Sequence, residues 1–165
     1  MELTDIISIE LWSQLAEDVH QKFGFNSCIY NTENFIIHSP VGWANEVCPL
    51  IKAGESRIIC ATSQQNLAKK VSQSRSPVID ECEAGFTKFL VPIFVNGTFI
   101  GSAGGCGCLI SDNDIDTFYI SKAVGKSEDE IKSLLDTIPR VPRDKITEAL
   151  TYLQKQIEHI IKKSN

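Results

Sequence analysis

No stretch of this chain approaches the roughly 20 consecutive apolar residues that a membrane helix needs, so no span is expected. Lysine and arginine form no cluster or stripe, and the formal charge is −5. A nucleic-acid footprint is therefore not expected. The opening residues, Met1-Glu2-Leu3-Thr4-Asp5, are acidic and hold no apolar core of the kind a secretory leader has. That predicts a cytoplasmic protein, for which the sequon Asn96-Gly97-Thr98 has no meaning. There is no Cys-x-x-Cys pair, no internal repeat and no low-complexity segment. An ordinary zinc knuckle and a solenoid are thereby set aside.

What is present is an ordinary composition, 42% hydrophobic and 22% charged over 165 residues. It is enough for one packed domain with a helical extension. Against that background six cysteines stand out: Cys28, Cys48, Cys60, Cys82, Cys106 and Cys108. The last two sit in a glycine nest, Gly104-Gly105-Cys106-Gly107-Cys108. A reducing compartment has little use for structural disulfides. So many thiols point to metal binding, redox sensing or catalysis, with small buried core residues as the plain alternative.

Apolar spacing predicts a first helix capped by Ser8, running to Phe23 and stopped by Gly24. Strands are expected at Phe25–Tyr30 and Phe35–His38, with a turn at 31–34 and a loop over Ser39–Ala44. A short helix follows with Pro49 in its first turn. A longer one, Glu55–Ser74, turns Ile59, Leu67, Ala68 and Val71 inward and ends at Ser76-Pro77. Strands are expected at Val78–Asp80 and Phe86–Val95, with an Asn96-Gly97 hairpin and the returning strand Thr98–Ile110. Helices are predicted at Asp112–Val124, where Asp112 caps, from the Ser127-Glu128-Asp129-Glu130 capping box, and at Asp144–Lys163 beyond Pro139 and Pro142. This order predicts an α+β fold: an antiparallel sheet with helices packed on one face, enclosing a small cavity.

Two motifs fail on inspection. Gly125-Lys126-Ser127 ends like a phosphate loop, but Ile120 stands where its first glycine belongs. Asp112-Asn113-Asp114-Ile115-Asp116 opens like a calcium loop, but Thr117 and Ala123 replace the glycine and the terminal glutamate. Cysteine catalysis needs a base near the thiolate. Of His20, His38 and His159, only His38 at a strand end is a reasonable partner, and no local signature surrounds any such pair. A non-enzymatic protein is expected.

Metal binding is the sharper reading. Thiolates hold zinc or iron–sulfur clusters in sets of four. Cys48, Cys60, Cys82 and Cys106 lie in four different segments, so their site would form only on folding. The glycines around Cys106 let backbone N–H groups approach an anionic cluster. Cys106 and Cys108 would face the same side of one strand about 7 Å apart. A disulfide between them would need a turn at Gly107 and be labile, which leaves a thiol redox switch as an alternative.

Between Cys48 and Cys108 the chain resembles the PocR-type sensory domain, a PAS-like ligand-binding module of bacterial signalling proteins. The resemblance is carried by Val47-Cys48-Pro49-Leu50-Ile51, by Cys60-Ala61-Thr62 and above all by Asp80-Glu81-Cys82-Glu83-Ala84-Gly85-Phe86. It continues through Val91-Pro92-Ile93-Phe94-Val95-Asn96-Gly97 and Ile100-Gly101-Ser102-Ala103-Gly104-Gly105, and covers roughly Ser8 to Ile110. It implies a sheet with flanking helices, a pocket beside the sheet, and sensing of a small molecule for an output domain or protein. Cys48, Cys60 and Cys82 match the family's cysteines. Cys106 stands where glutamine is common and Glu83 where histidine is common, and a separate output protein is expected rather than an attached output domain. The first two departures point away from a simple diol or hydrocarbon-derivative ligand. A fourth thiol added to a set of three favours a metal centre.

In the last helix Ile146, Leu150, Leu153, Ile157 and Ile160 form a short heptad seam without flanking pairing charges. It is suited either to packing on its own domain or to dimerisation through 146–161. The expected protein is thus a PAS-like α+β sensory domain, residues 1–140, with a C-terminal signalling or dimerisation helix, 141–165. Cys48, Cys60, Cys82 and Cys106 would hold an iron–sulfur cluster, or Zn²⁺, with Cys108 as alternate ligand. Trp43, Glu83 and Cys108 would border the ligand. The signal, a small molecule or redox state, would pass to a separate output protein. The alternatives are a sensor of small organic molecules with non-ligating cysteines and a thiol switch.

Overall fold

The computed structural model describes residues 1–39 and 41–164. A 3₁₀ turn, Leu3–Asp5, leads into helix α1, Ile9–Phe23. Ser8 caps it by accepting from the Leu11 N–H, and Gly24 ends it in the left-handed conformation. Strand β1 is Asn26–Tyr30. Helix α2, Cys48–Lys52, carries Pro49 in its first turn, and α3 is Arg57–Ser74. Strands β2, Val78–Glu81, β3, Thr87–Val95, and β4, Thr98–Ile110, follow. Asn96 and Gly97 both take positive φ, +48° and +81°, the geometry a two-residue hairpin demands. Then come α4, Thr117–Val124, α5, Glu128–Lys132, the two-residue strand β5, Arg140–Val141, and α6, Arg143–Ser164.

Four strands form an antiparallel sheet in the order β1-β4-β3-β2, and β5 pairs in parallel with the end of β4. The result is an α+β, PAS-like architecture. Helices cover both faces of the sheet rather than the one face expected, because β1 and β3 bury side chains on both sides. On one face Phe89, Val91, Ile93 and Val95 of β3 meet Trp12, Leu15 and Val19 of α1 and Ile146, Ala149, Leu153 and Ile157 of α6. The last helix thus spends most of its seam on the chain's own core. The Trp12 indole N–H donates to the Leu3 carbonyl at 2.9 Å, tying the N-terminal turn to this layer. On the other face Tyr30 and Leu90 pack on Leu67, Ala68 and Val71 of α3. A third cluster joins α2, α4 and α5 around Phe86 and Leu109.

Two expectations are corrected, and one short strand is added. Phe35–His38 is not a strand; one bridge, Tyr30–Ile36, is all that forms. The Asn31 carboxamide oxygen accepts from the N–H groups of Glu33 and Phe35, and His38 Nε2 accepts from the Ile29 N–H, so side chains take bonds a ladder would use. The fourth helix starts at Thr117 under an Asp116 cap, not at Asp112. Residues 111–114 instead wrap the Arg140 guanidinium, which donates to the carbonyls of Ser111 and Asn113 and pairs with Asp114. Strand β5 escaped notice because two residues between prolines carry no periodicity. In the loop over 39–44, Pro40 lies outside the described residues, as does Asn165 of the final helical segment.

Candidate functional site

A cavity of about 580 Å³ lies between α2, α3 and the sheet. Alternation along the strands decides what faces it. Even-numbered residues of β1, of β3 and of the 102–106 stretch of β4 point toward α3, which brings Asn26, Tyr30, Lys88 and Cys106 to the cavity floor. Helix α2 contributes Cys48, Ile51 and Lys52. Helix α3 contributes Cys60, Ser63 and Gln64, positions three and four apart on one face. The turn between β2 and β3 adds Cys82 and Ala84. At the mouth Phe35, Ile36 and Ile58 stand exposed, at 65%, 41% and 63%.

Cys48, Cys60, Cys82 and Cys106 therefore line one cavity although they come from four elements. The other proposed site residues do not line it. Trp43 is exposed in the loop before α2, and Glu83 is exposed, with its backbone N–H donating to Ser63 Oγ at 2.9 Å. Cys108 is buried in the core on the α1/α6 face. The reason is Gly107. Its φ of +88° coincides with a slip in the β3–β4 register, where Thr87 faces Cys108 and Lys88 faces Cys106. Such a bulge inserts one residue and reverses the side on which the next side chain falls. Cys106 and Cys108 consequently occupy opposite faces, not the same face as a regular strand would give. A direct disulfide between them has no support in this arrangement, and all six thiols are free.

Two asparagines hold the segment before α2 onto the sheet. Asn26 Oδ1 accepts from the Ala44 N–H at 2.7 Å, while its Nδ2 lies 3.7 Å from Cys106 Sγ. Asn45 Oδ1 accepts from the N–H groups of Val47 and Cys48, both at 2.8 Å. Its Nδ2 donates to the Gly107 carbonyl at 2.8 Å and to Cys48 Sγ at 3.2 Å. The bulge, the start of α2 and the Cys48 sulfur are thereby one hydrogen-bonded unit.

The electrostatics keep Cys28, Cys48, Cys60 and Cys82 protonated. Burial, with the Cys106 sulfur beside them, pushes Cys48 far up and Cys82 to about 11. Burial likewise raises Cys28 and Cys60, against the opposing pull of Lys52 and Lys88. Burial depresses Lys52, but ionised sulfurs of Cys28, Cys60 and Cys48, which exist only at alkaline pH, outweigh it, and the net shift is upward. Neutral thiols are weak nucleophiles and must lose a proton to bind a metal. Among the described residues, no three Cys, His, Asp or Glu side chains stand close enough to hold a metal ion. The four cysteines share a chamber without forming a ligand set.

No histidine lines the cavity among the described residues. His38 accepts from the Ile29 N–H through Nε2 and meets the Ser39 carbonyl through Nδ1, so its ring is fully engaged in structure. Burial lowers its pKa, as an acceptor nitrogen requires. Sequence reasoning missed Asn26, Asn45, Lys52, Gln64 and Lys88. Lys88 left a trace, a lone charge inside the apolar run Phe86–Val95. Gln64 left another, four residues after Cys60 on the inner side of α3.

No helix is long and apolar enough to cross a membrane among the described residues. No curated protein and no solved structure matches the chain. The family model described as the sensory domain found in PocR matches residues 5–165. With a match of that span, and a sheet whose helices close over a chamber lined by the cysteines that carry the resemblance, the chain belongs to the family of sensory domains found in PocR.

Proposed function

We propose that the chain is a non-enzymatic sensory module that binds a small organic molecule in the cavity between α2, α3 and the sheet. The observation that carries this reading is the chamber itself. About 580 Å³ is within the range of small-molecule sites, and its wall mixes apolar side chains with a few convergent polar groups. Binding would order the exposed mouth residues Phe35, Ile36 and Ile58. It would pass to a separate signalling partner through α6, which packs on the β3 and β4 strands bearing Lys88 and Cys106. Ala61 lines the cavity and is exposed, so a large side chain there fills the mouth without entering the core. Small molecules released on denaturing freshly purified protein would be identified by mass spectrometry in wild type and in Ala61→Trp. A compound released by the first and missing from the second is expected. If wild type releases none and no member of a small-molecule library raises its melting temperature, the reading fails.

A second reading is a cysteine-bound metal centre, iron–sulfur or zinc, held by Cys48, Cys60, Cys82 and Cys106. Amide donors aimed at the Cys48 and Cys106 sulfurs favour it, since such bonds stabilise thiolates. It requires the walls to draw the four sulfurs together. Iron, zinc and acid-labile sulfide assays on anaerobically purified protein decide it; absence of all of them removes this reading and leaves the first.

A further inference from the structure

The cavity wall carries more positive charge than its surroundings explain. Lys52, Arg57 and Lys88 line it, and the carboxylate among its lining residues, Glu55, is exposed at the rim. This occurs in a protein whose formal charge is −5. Lys88 is only 6% exposed. None of the ion pairs among the described residues includes it, and its near neighbour is the Tyr30 ring, 5.3 Å from Nζ. Asp80, its cross-strand partner on β2, is engaged by Lys70. A buried ammonium without a counter-ion is costly, and lysines are rarely buried unless paired. The Cys28 and Cys60 thiols near it do not neutralise it, because burial holds them in the protonated form.

A second, independent group points into the same space. Gln64 is 3% exposed, and its Oε1 has no hydrogen-bond donor. Its Nε2 already reaches Asn34 Oδ1 and Ser102 Oγ, each at 3.4 Å, so the amide is oriented with its acceptor left over. A buried acceptor without a donor costs roughly 1–3 kcal/mol. Lys52 from α2 and Lys88 from β3 both line this chamber.

We propose that the ligand is a small organic anion, a carboxylate or phosphate monoester whose acid group sits between Lys88 and Lys52. A hydroxyl or amine on it donates to Gln64 Oε1, and its apolar body faces Phe35, Ile36 and Ile58 at the mouth. This deepens the ligand-sensor reading and rests on it. Each partner then completes the other: the anion supplies the missing counter-ion, and its donor satisfies the orphaned amide oxygen.

The test is calorimetric titration of the full chain with matched pairs that differ in charge. 3-Phenyllactate is set against 3-phenylpropane-1,2-diol, 2-hydroxyisocaproate against 4-methylpentane-1,2-diol, and glycerol 3-phosphate against glycerol. An acid is expected to bind where its neutral counterpart does not, and the pairs separate carboxylate from phosphate. Lys88→Met is expected to weaken that binding tenfold to a hundredfold, roughly the worth of one charge-assisted hydrogen bond, whereas Lys70→Met leaves it unchanged. A second arm needs no ligand. Lys88→Met is expected to raise the melting temperature of the empty protein, as removal of an unpaired buried charge should. A diol that binds as tightly as its acid, or an acid whose affinity ignores Lys88→Met, overturns the inference while the cavity remains a ligand site. A Lys88→Met protein that melts lower than wild type overturns it without any ligand having been found.

Discussion

Replacing Gly107 by alanine tests the bulge that divides Cys106 from Cys108. Gly107 has φ of +88°, where an alanine pays about 1–2 kcal/mol for its Cβ. The added Cβ would also stand 2.5 Å from Asn26 Nδ2 and 3.0 Å from the Ala44 side chain. Asn26 must move, and its 2.7 Å bond from the Ala44 N–H goes with it, a loss of about 1–3 kcal/mol for a buried partner. Together the two effects predict a destabilisation of about 2–5 kcal/mol, or roughly 5–15 °C in melting temperature for a chain of this size. Gly97→Ala is the control. Its φ is +81°, but nothing lies within 4 Å of the added atom, so it carries the strain alone. Urea unfolding of both variants separates strain from clash. Gly107→Ala falling within about 0.5 kcal/mol of Gly97→Ala, a margin small against the predicted clash, would refute the claim that the bulge is locked against Asn26.

Leu153→Ala removes a side chain that is 1% exposed in the layer shared by α1, β3 and α6, and is expected to cost about 2–5 kcal/mol in chemical unfolding; a loss below 1 kcal/mol would mean α6 does not hold that core. Cys82 titrates near 11 when folded against an ordinary value of 9.0. The unfolded chain therefore gives up this proton first, so its contribution is complete below about pH 9 and declines between 9 and 11, by at most about 1.4 kcal/mol per pH unit. Cys82→Ala should make that alkaline decline shallower, and an unchanged slope would count against the buried neutral thiol. His38 has its pKa lowered below 6.5 by burial, so the stability it contributes is present above that value and is lost as the pH falls. Its Nε2 cannot accept from Ile29 once protonated. The urea midpoint should drop less between pH 7.5 and 5 in His38→Gln than in wild type; equal drops would place the acid sensitivity elsewhere.

Much of the fold was legible because it is written in local chemistry. Ser8 and Gly24 bound α1, Asn96-Gly97 turns the β3–β4 hairpin, and the inward residues of α3 are those its period predicts. Local signals misled where side chains compete with the backbone. Asn31 and His38 take the bonds of the expected second strand, and Arg140, 26 residues away from Asp114, organises the loop that an Asp112 cap would have made helical. In the site, the cysteine series led to the right chamber but not to its polar partners. Asn26 and Asn45 look like turn residues, and nothing near them in the chain reveals that one supports Cys106 and the other Gly107.

Sequence alone determined the α+β class and the sensory-domain family, because apolar period, turn chemistry and a family pattern are properties of neighbouring residues. Tertiary structure alone decided which thiols face the chamber and what charge accompanies them. One positive φ at Gly107 sends Cys108 into the opposite core, and the β3 register brings Lys88 beside Cys106. Register and burial depend on residues far apart in the chain, and a one-residue slip in a strand reverses every side chain beyond it.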